Sequence, residues 1–268
     1  GLLGYAFNWS PEGVVNEYLN DCEVLEEGER KWVSAMEWRE TLYIHGTQLE
    51  AFTTSGGLGT MCDTYHGRVA NIDYKTIRYP GHMDLMNFFF HELLMREQRA
   101  LAGQILTNAK PPVTDDVVYV HVSSEGMIDG HLRRLEFVRA YTPKVVGGAR
   151  NTAIAWTTAG SVAGVIEMVR KGTLPAKGLL KQEQIPFAAF LDTPTGSLFA
   201  AEALARDAGL RVVDVPVALP PLDLTWALAN LAGLHGDLAG LWPDCRDQLT
   251  KEIAFGREMS EKLVDVHV

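Results

Sequence analysis

The segment YKTIRYPGH, residues 74–82, carries the side chains with the clearest capacity for chemistry. Arg78 lies at the end of a predicted strand, and Gly81 and His82 begin a predicted helix. A guanidinium that faces the exposed N–H groups of a helix N-terminus can bind a carboxylate. A histidine side chain ordinarily titrates near neutral pH, so His82 could donate to the same carboxylate or transfer a proton. The alternatives are a surface ion pair for Arg78 and a capping or packing role for His82.

A glycine-rich loop lies in EAFTTSGGLGTMC, residues 50–62, after a strand-like run. A dinucleotide fingerprint needs three glycines, G-x-G-x-x-G, between a strand and a long helix. Gly57 and Gly59 fill the first two positions, but Cys62 occupies the third. The segment before the next predicted strand is also shorter than the dozen or so residues that a parallel crossover takes. The loop is therefore predicted to be a turn whose glycines allow a positive φ or a close backbone contact.

Potential metal ligands do not form a recognisable set. Cys62 with His66, and His82 with His91, are too loosely spaced for a dedicated site, so we predict no metal. Glu183, in KQEQIP, is predicted to make a structural hydrogen bond.

The composition is that of an ordinary globular protein, with 47% hydrophobic and 22% charged residues in a chain of 268. The formal net charge of -10 argues against nucleic acid or an anionic membrane as the main partner, because both attract clustered Lys and Arg. No uncharged run reaches the roughly 20 apolar residues that span a bilayer. The cysteines number 3 and lie far apart, which predicts a reduced protein of the cytoplasm without a disulfide framework.

The elements that must position these residues follow from local patterns. Ser10 is a candidate N-cap and Pro11 suits the first helical position, which predicts a helix with an apolar face. Alternation and turn residues predict strands over residues 31–36, 41–45, 48–54 and 68–79. Further on, the patterns predict helices over 82–95 and 97–109, a hairpin of strands 115–126 and 131–142 with a bulge, and a helix over 151–171.

This order of strands, helices, more strands and a helix indicates an α+β fold, with one mixed β-sheet and helices mainly on one face. The pattern of apolar and polar residues changes near residue 198. This change predicts one domain over residues 1–198 and a mostly helical extension over 199–268. That extension begins with a helix–strand pattern and continues with predicted helices over 223–241 and 244–263. The chain starts at Gly1 and shows secondary-structure patterns from its first residues. We therefore expect it to be part of a longer protein.

Four motifs in order make the sequence resemble a known family. They are GYAFNWSPEGVVNEYLN, EAFTTSGGLGT, YKTIRYPGH and KQEQIPFAAFL. Together they are similar to the C-terminal part of the saccharopine dehydrogenase family, including its lysine-6-dehydrogenase-like members. The resemblance implies a substrate and dimerisation domain with the fold of the C-terminal domain of glyceraldehyde-3-phosphate dehydrogenase. It also implies a homodimer, and NAD or NADP as the hydride carrier for oxidation or reduction at an amino acid's C–N bond.

The resemblance also suggests roles for particular residues. The Thr-x-Arg motif falls on Thr76, Ile77 and Arg78, which are then substrate-binding positions. The Trp-Ser motif falls on Trp9 and Ser10, which are then near the nicotinamide. Ser10 as a plain N-cap and Trp9 as a core aromatic are the alternatives.

Two departures from the family pattern matter. The loop at residues 54–56 lacks the basic residue of saccharopine-splitting relatives, which favours a simpler amino acid over a dicarboxylic substrate. No stretch supplies the glycine fingerprint of the family's Rossmann domain, so this chain alone is not expected to hold NAD(P) in the usual way. A non-catalytic module that binds an amino acid or oligomerises stays open as an alternative. A weaker one comes from LARDAGLRVVDVPV, which resembles a helix–strand unit of amidase-type hydrolases.

Overall fold

The fold is that of a computed structural model, which describes residues 1–203 and 210–214. The helices are α1 (Pro11–Leu19), α2 (Met61–Tyr65), α3 (His82–Asn87), α4 (Arg99–Ala109), α5 (Ala153–Arg170), α6 (Phe187–Leu191) and α7 (Ser197–Ala203). The strands are β1 (Cys22–Glu26), β2 (Glu29–Val33), β3 (Glu40–Ile44), β4 (Thr47–Thr53), β5 (Lys75–Arg78), β6 (Val118–Ile128), β7 (His131–Tyr141), β8 (Lys144–Val146), β9 (Ala149–Asn151) and β10 (Leu210–Asp214). The α+β class is thereby confirmed.

The described strands pair antiparallel throughout and form separate small sheets, where we expected one mixed sheet. The sheets are β1-β2, β3-β4-β5, β10-β7-β6 and β8-β9. Short turns join most neighbouring strands, and a short connection brings the next strand back antiparallel. Strand β1 is an element that the sequence patterns did not predict.

The main core lies where α1, α3 and α4 pack against the sheet β3-β4-β5. Its buried apolar residues are Phe7, Val14, Val15, Tyr18, Met36, Phe52, Met83, Met86, Phe90, Ala102 and Leu106. Helix α1 begins as predicted, because the Ser10 hydroxyl accepts the N–H of Gly13 at 3.1 Å and Pro11 takes the first position. This core holds the end of β5 and the start of α3 together, and Arg78 and His82 lie there.

The apolar segment 82–95 is not the single helix that its pattern predicts. Helix α3 ends at Asn87, a π-helical turn covers Phe88–Glu92, and a 3-10 turn covers Met95–Gln98 before α4. Leu94 has a φ of 54°, and this left-handed residue breaks the continuity. Within the π-helical turn, Phe90 is buried in the main core while Phe88 remains exposed.

The predicted hairpin is present, but its register is continuous from Val118↔Tyr141 to Ile128↔His131, so the expected bulge is wrong. The turn residues Asp129 and Gly130 have φ of 53° and 78°, as a two-residue hairpin loop requires. The lapse in alternation that suggested a bulge has another cause. Arg134 contacts the carboxylates of Glu125 and Glu136 and forms a polar cluster on one face of the sheet.

The helix–strand pattern predicted at the start of the extension corresponds to α7 and β10, and β10 adds to the edge of β7. The predicted helices over 223–241 and 244–263 lie outside the described residues. The boundary near residue 198 stays a prediction.

Candidate active site

Arg78 is fixed at the end of β5 by hydrogen bonds that use only part of its guanidinium. Its Nε donates to the Tyr18 hydroxyl at 2.9 Å, and its Nη1 donates to the carbonyl of Ile77 at 2.9 Å. The guanidinium carbon also lies 4.7 Å from the ring centroid of Tyr5. The remaining guanidinium N–H groups have no hydrogen-bond partner among residues 1–203 and 210–214. Burial opposes the charge of Arg78, but Tyr18 and Tyr5 outweigh it and raise the pKa, so the group is a permanent cation.

His82 lies behind Arg78 and is buried, with 1% of its surface exposed. Its Nδ1 lies 2.8 Å from the carbonyl of Leu3 and therefore carries the proton. Its Nε2, 2.9 Å from the Tyr18 hydroxyl, then accepts the phenol proton. Burial and the nearby Arg78 lower the pKa of His82 to about 3, so the ring is neutral. Both ring nitrogens are occupied, and His82 reaches a ligand at Arg78 only through Tyr18.

Tyr18 links the two groups. Its hydroxyl accepts from Arg78 and donates to His82, so its single proton is already used. Burial raises the pKa of Tyr18 to about 12, although Arg78 opposes this shift. The chain of bonds from Leu3 through His82 and Tyr18 sets the direction in which the Arg78 fork points.

The N-terminus of α3 is occupied by a carboxylate of the chain itself, which corrects one sequence expectation. Glu50, 5% exposed, accepts the N–H of Met83 at 2.7 Å and the N–H of Gly81 at 3.1 Å. Register explains its position, because Glu50 on β4 lies opposite Arg78 on β5. These N–H groups are therefore not available to the carboxylate of a ligand, whereas part of the Arg78 guanidinium is.

Thr76 and Ile77, the other positions that the resemblance suggests, support Arg78 from the same strand. Thr76 is 5% exposed and its hydroxyl lies 2.9 Å from that of Thr54, which fixes the strand against the glycine loop. Ile77 is half-buried and uses its carbonyl to hold Arg78. Both residues also line the cleft described next.

A wide cleft opens beside Arg78, with a volume of about 2420 Å³. Ligand pockets for small molecules usually measure roughly 300–1,000 Å³, so the cleft has room for more than an amino acid. Trp9, 40% exposed, lines it together with Tyr5 and Glu17. Ser10 lies beside Trp9, but its hydroxyl is engaged in capping α1. The structure thus brings Trp9 and Arg78 to one cleft and gives Ser10 a structural contact.

The glycine loop does not fit the pyrophosphate of a dinucleotide. A Cβ at Gly57 would lie 2.0 Å from the ring of Tyr74, and one at Gly59 would lie 3.2 Å from the amide of Gln182. These side chains fill the space that a phosphate would need. The helix that follows, α2, spans only Met61–Tyr65. The prediction of a turn with close backbone contacts agrees with this geometry.

A short segment, residues 181–184, holds the glycine loop from outside; we call it the strap. The Glu183 carboxylate accepts hydrogen bonds from the hydroxyls of Thr60 and Thr64, and the one from Thr64 chiefly lowers the pKa of Glu183. Lys181 donates to Thr64 at 2.8 Å, and Gln182 donates to the carbonyl of Leu58 at 2.9 Å. Glu183 therefore makes the kind of structural hydrogen bond that the sequence predicts.

The remaining candidates concern cysteines and membranes. Cys22 and Cys62 are free and buried, and burial raises the pKa of both thiols, to about 11 for Cys22. Within the described ranges, no group of three or more Asp, Glu, His and Cys residues is placed to hold a metal ion. None of the described helices combines the length and apolar character that crossing a bilayer demands.

Tyr18, Glu50 and Glu17 are the site residues that sequence reasoning missed. Tyr18 looked like one more apolar position of α1, and Glu50 lay unremarked within a strand-like run that was interpreted as apolar. The sequence does contain a signal for Glu50, because burying a carboxylate in an otherwise apolar strand is costly unless it is hydrogen-bonded. Its partner lies across the sheet, which only the strand register reveals.

The described residues form an α+β fold in which Arg78, a fixed cation with unused N–H groups, lines a wide cleft. A sequence profile described as Saccharopine dehydrogenase C-terminal domain matches residues 2–193. The chain therefore belongs to the saccharopine dehydrogenase family, which relates it to oxidoreductases of amino-acid metabolism.

Among solved structures, the chain is similar to apo histidine-tagged saccharopine dehydrogenase (L-Glu forming) from Saccharomyces cerevisiae. The TM-score is 0.53 at 16% sequence identity, and the match covers 80% of this chain and 63% of that one. At this identity the likeness shows the fold. The chain spans less than two thirds of that relative's length.

Proposed function

We propose that the chain is the substrate-binding and dimerisation part of an NAD(P)-dependent oxidoreductase that acts on the C–N bond of an amino acid of the lysine or saccharopine type. One observation carries the proposal. Arg78 is held rigidly at the cleft with several N–H groups left for a ligand, and a guanidinium fork matches a carboxylate. We assign it the α-carboxylate of the substrate, with Thr76 and Ile77 as its supports.

In this proposal His82 positions Arg78 through the hydrogen bonds that run from Leu3 through His82 and Tyr18. A neutral His82 holds Tyr18, and Tyr18 holds the guanidinium Nε. His82 thus orients the carboxylate-binding group and does not touch the substrate.

We assign Trp9 and Ser10 to the region beside the nicotinamide, as the family resemblance suggests. Trp9 offers an exposed ring at the cleft, and Ser10 fixes the start of the helix behind it. NAD or NADP would supply the hydride chemistry of the complete enzyme. Because the glycine loop is filled by Tyr74 and Gln182, we assign the phosphates of the cofactor to residues other than those described here.

The test is Arg78→Ala in an enzyme preparation that contains this chain. We expect KM for the amino acid to rise by an amount equivalent to about 2–4 kcal/mol, because a desolvated carboxylate loses its charged partner. The matched control is Arg39→Ala, which breaks an exposed pair with Asp84 and should leave KM unchanged. An unchanged KM in the Arg78 variant would remove this residue from the site.

We also propose that the chain forms a homodimer in the cytoplasm. Large apolar side chains more than a third exposed cluster over residues 85–105: Leu85, Phe88, Leu93, Leu94, Leu101 and Ile105. Exposed apolar patches are frequent at protein–protein interfaces. Sedimentation equilibrium should give twice the chain mass of 29.6 kDa, and a monomer would contradict the proposal. Cys22 and Cys62 are buried and do not form a disulfide with each other, as suits a reducing compartment.

The second candidate function is a non-catalytic module that binds an amino acid or oligomerises. The filled glycine loop favours it for this chain alone. Titration of the chain with NADH and NADPH, followed by nicotinamide fluorescence, separates the two functions. Binding at micromolar concentration supports an enzymatic role for this chain itself, and a lack of binding supports the module for this chain alone. The amidase-type alternative depends on residues 199–268, most of which lie outside the described part.

A further inference from the structure

Glu17 lies on α1 immediately before Tyr18 and faces the same cleft as Arg78. Its backbone is fixed, because its carbonyl accepts the N–H of Ser55 at 3.0 Å. Gly13, four residues earlier and therefore on the same helix face, lies under the ring of Trp9. Helix α1 thus presents Glu17 to the cleft on the side that Trp9 covers.

The Glu17 carboxylate differs from the other carboxylates of the cleft. It is half-buried, yet it makes no hydrogen bond or ion pair to any residue within 1–203 and 210–214. Several neighbours along the cleft are engaged, by ion pairs or by the first N–H groups of α5: Glu40, Asp116, Glu125 and Glu136. A half-buried charge without a partner is costly, and such a group is suited to a ligand of opposite charge.

The charges around Glu17 and Arg78 balance. Burial raises the pKa of Glu17, and the charge of Arg78 opposes the shift without a direct ion pair between the two groups. His82 is neutral because its pKa is about 3, and Tyr18 is neutral because its pKa is about 12. Arg78, as a fixed cation, and Glu17, as a carboxylate, line the same cleft. This arrangement complements a ligand that carries both a carboxylate and an ammonium group.

We propose that Glu17 binds the ammonium group of a free α-amino acid whose carboxylate binds Arg78. The proposal rests on the proposed function and adds a specificity residue to it. Glu17 selects a zwitterion over a simple carboxylate, and its negative charge repels a second carboxylate of the ligand. This agrees with the absence of a basic residue in the loop at residues 54–56.

The test compares L-norleucine with hexanoate, which has the same carbon chain and carboxylate but lacks the ammonium group. Affinities for the 268-residue chain are measured by NMR titration, which detects millimolar binding. We expect the wild-type chain to bind norleucine more tightly than hexanoate. Glu17→Gln should weaken norleucine about 10- to 100-fold, the loss expected for a charge-assisted hydrogen bond, and should leave hexanoate unchanged or tighter.

The control is Glu12→Gln, which removes the same charge from an exposed position of the same helix and should change neither affinity. Arg78→Gln should weaken both ligands, which separates the two roles. If the wild-type chain prefers norleucine and Glu17→Gln abolishes the preference, the inference stands. If Glu17→Gln affects both ligands equally or neither, the inference is wrong while the amino-acid site survives. If the wild-type chain binds neither ligand, the proposed function fails as well.

Discussion

The buried His82 makes the stability of the fold depend on pH in a calculable way. Burial, and then the charge of Arg78, lower its pKa in the folded state to about 3, whereas an unfolded histidine titrates near 6.5. The unfolded state therefore binds more protons between these two values. The stability that neutral His82 contributes is complete above about pH 6.5 and is lost as the pH falls toward about 3.

Linkage gives a loss of about 2 kcal/mol between pH 7 and pH 5, a range in which most carboxylates remain ionised. The perturbation is His82→Gln, which removes the titrating ring and keeps an amide that can donate to Leu3 and accept from Tyr18. Urea unfolding followed by circular dichroism at both pH values measures the free energy of unfolding. The wild-type chain should lose about 2 kcal/mol more than the variant over this interval.

His91 provides the control, because it is exposed and its removal leaves the buried network intact. The His91→Gln variant should lose as much stability as the wild type when the pH is lowered. Equal losses in the wild type and in His82→Gln would mean that the folded ring takes up a proton as readily as the unfolded one. The hydrogen-bond directions assigned to Tyr18 and Arg78 would then be wrong.

Two further substitutions test the structure around this network. Glu50→Ala should lower the free energy of unfolding by about 2–4 kcal/mol, since two backbone N–H groups lose a charged acceptor, and urea titration would show a smaller loss for Glu50→Gln. A loss within the range of surface substitutions would contradict the capping role. Gly57→Ala should lower the melting temperature because its methyl group meets the ring of Tyr74, and Tyr74→Ala in the same chain should restore it. Failure of the second change to compensate would show that the contact is not the cause.

Local features of the fold were predictable from sequence because their determinants are neighbours along the chain. Ser10 and Pro11 start α1 where the pattern places it, and Gly172 follows the end of α5 with a φ of 76°. The interruption after Asn87 was not predictable, because the apolar run reads as one helix. Only the packing of Phe90 into the core and the left-handed Leu94 explain the break.

The site was predictable in part. Arg78 was identified from a strand end before a helix, and the structure holds it at the cleft. The partner of the helix N-terminus was missed, because Glu50 reaches Gly81 and Met83 across the sheet from 31 and 33 residues away. Pairings at that separation follow from the strand register, which the pattern of one strand does not determine.

The strap has a consequence for the order in which the molecule assembles. Glu183 is 123 residues from Thr60, and Gln182 is 124 residues from Leu58. During synthesis the glycine loop therefore emerges long before the residues that secure it. A growing chain can form α1 and its neighbouring strands early, but this loop takes its final shape only once residue 183 has left the ribosome. Contacts between such distant residues slow folding, and here they connect the glycine loop to a segment more than 120 residues further along the chain.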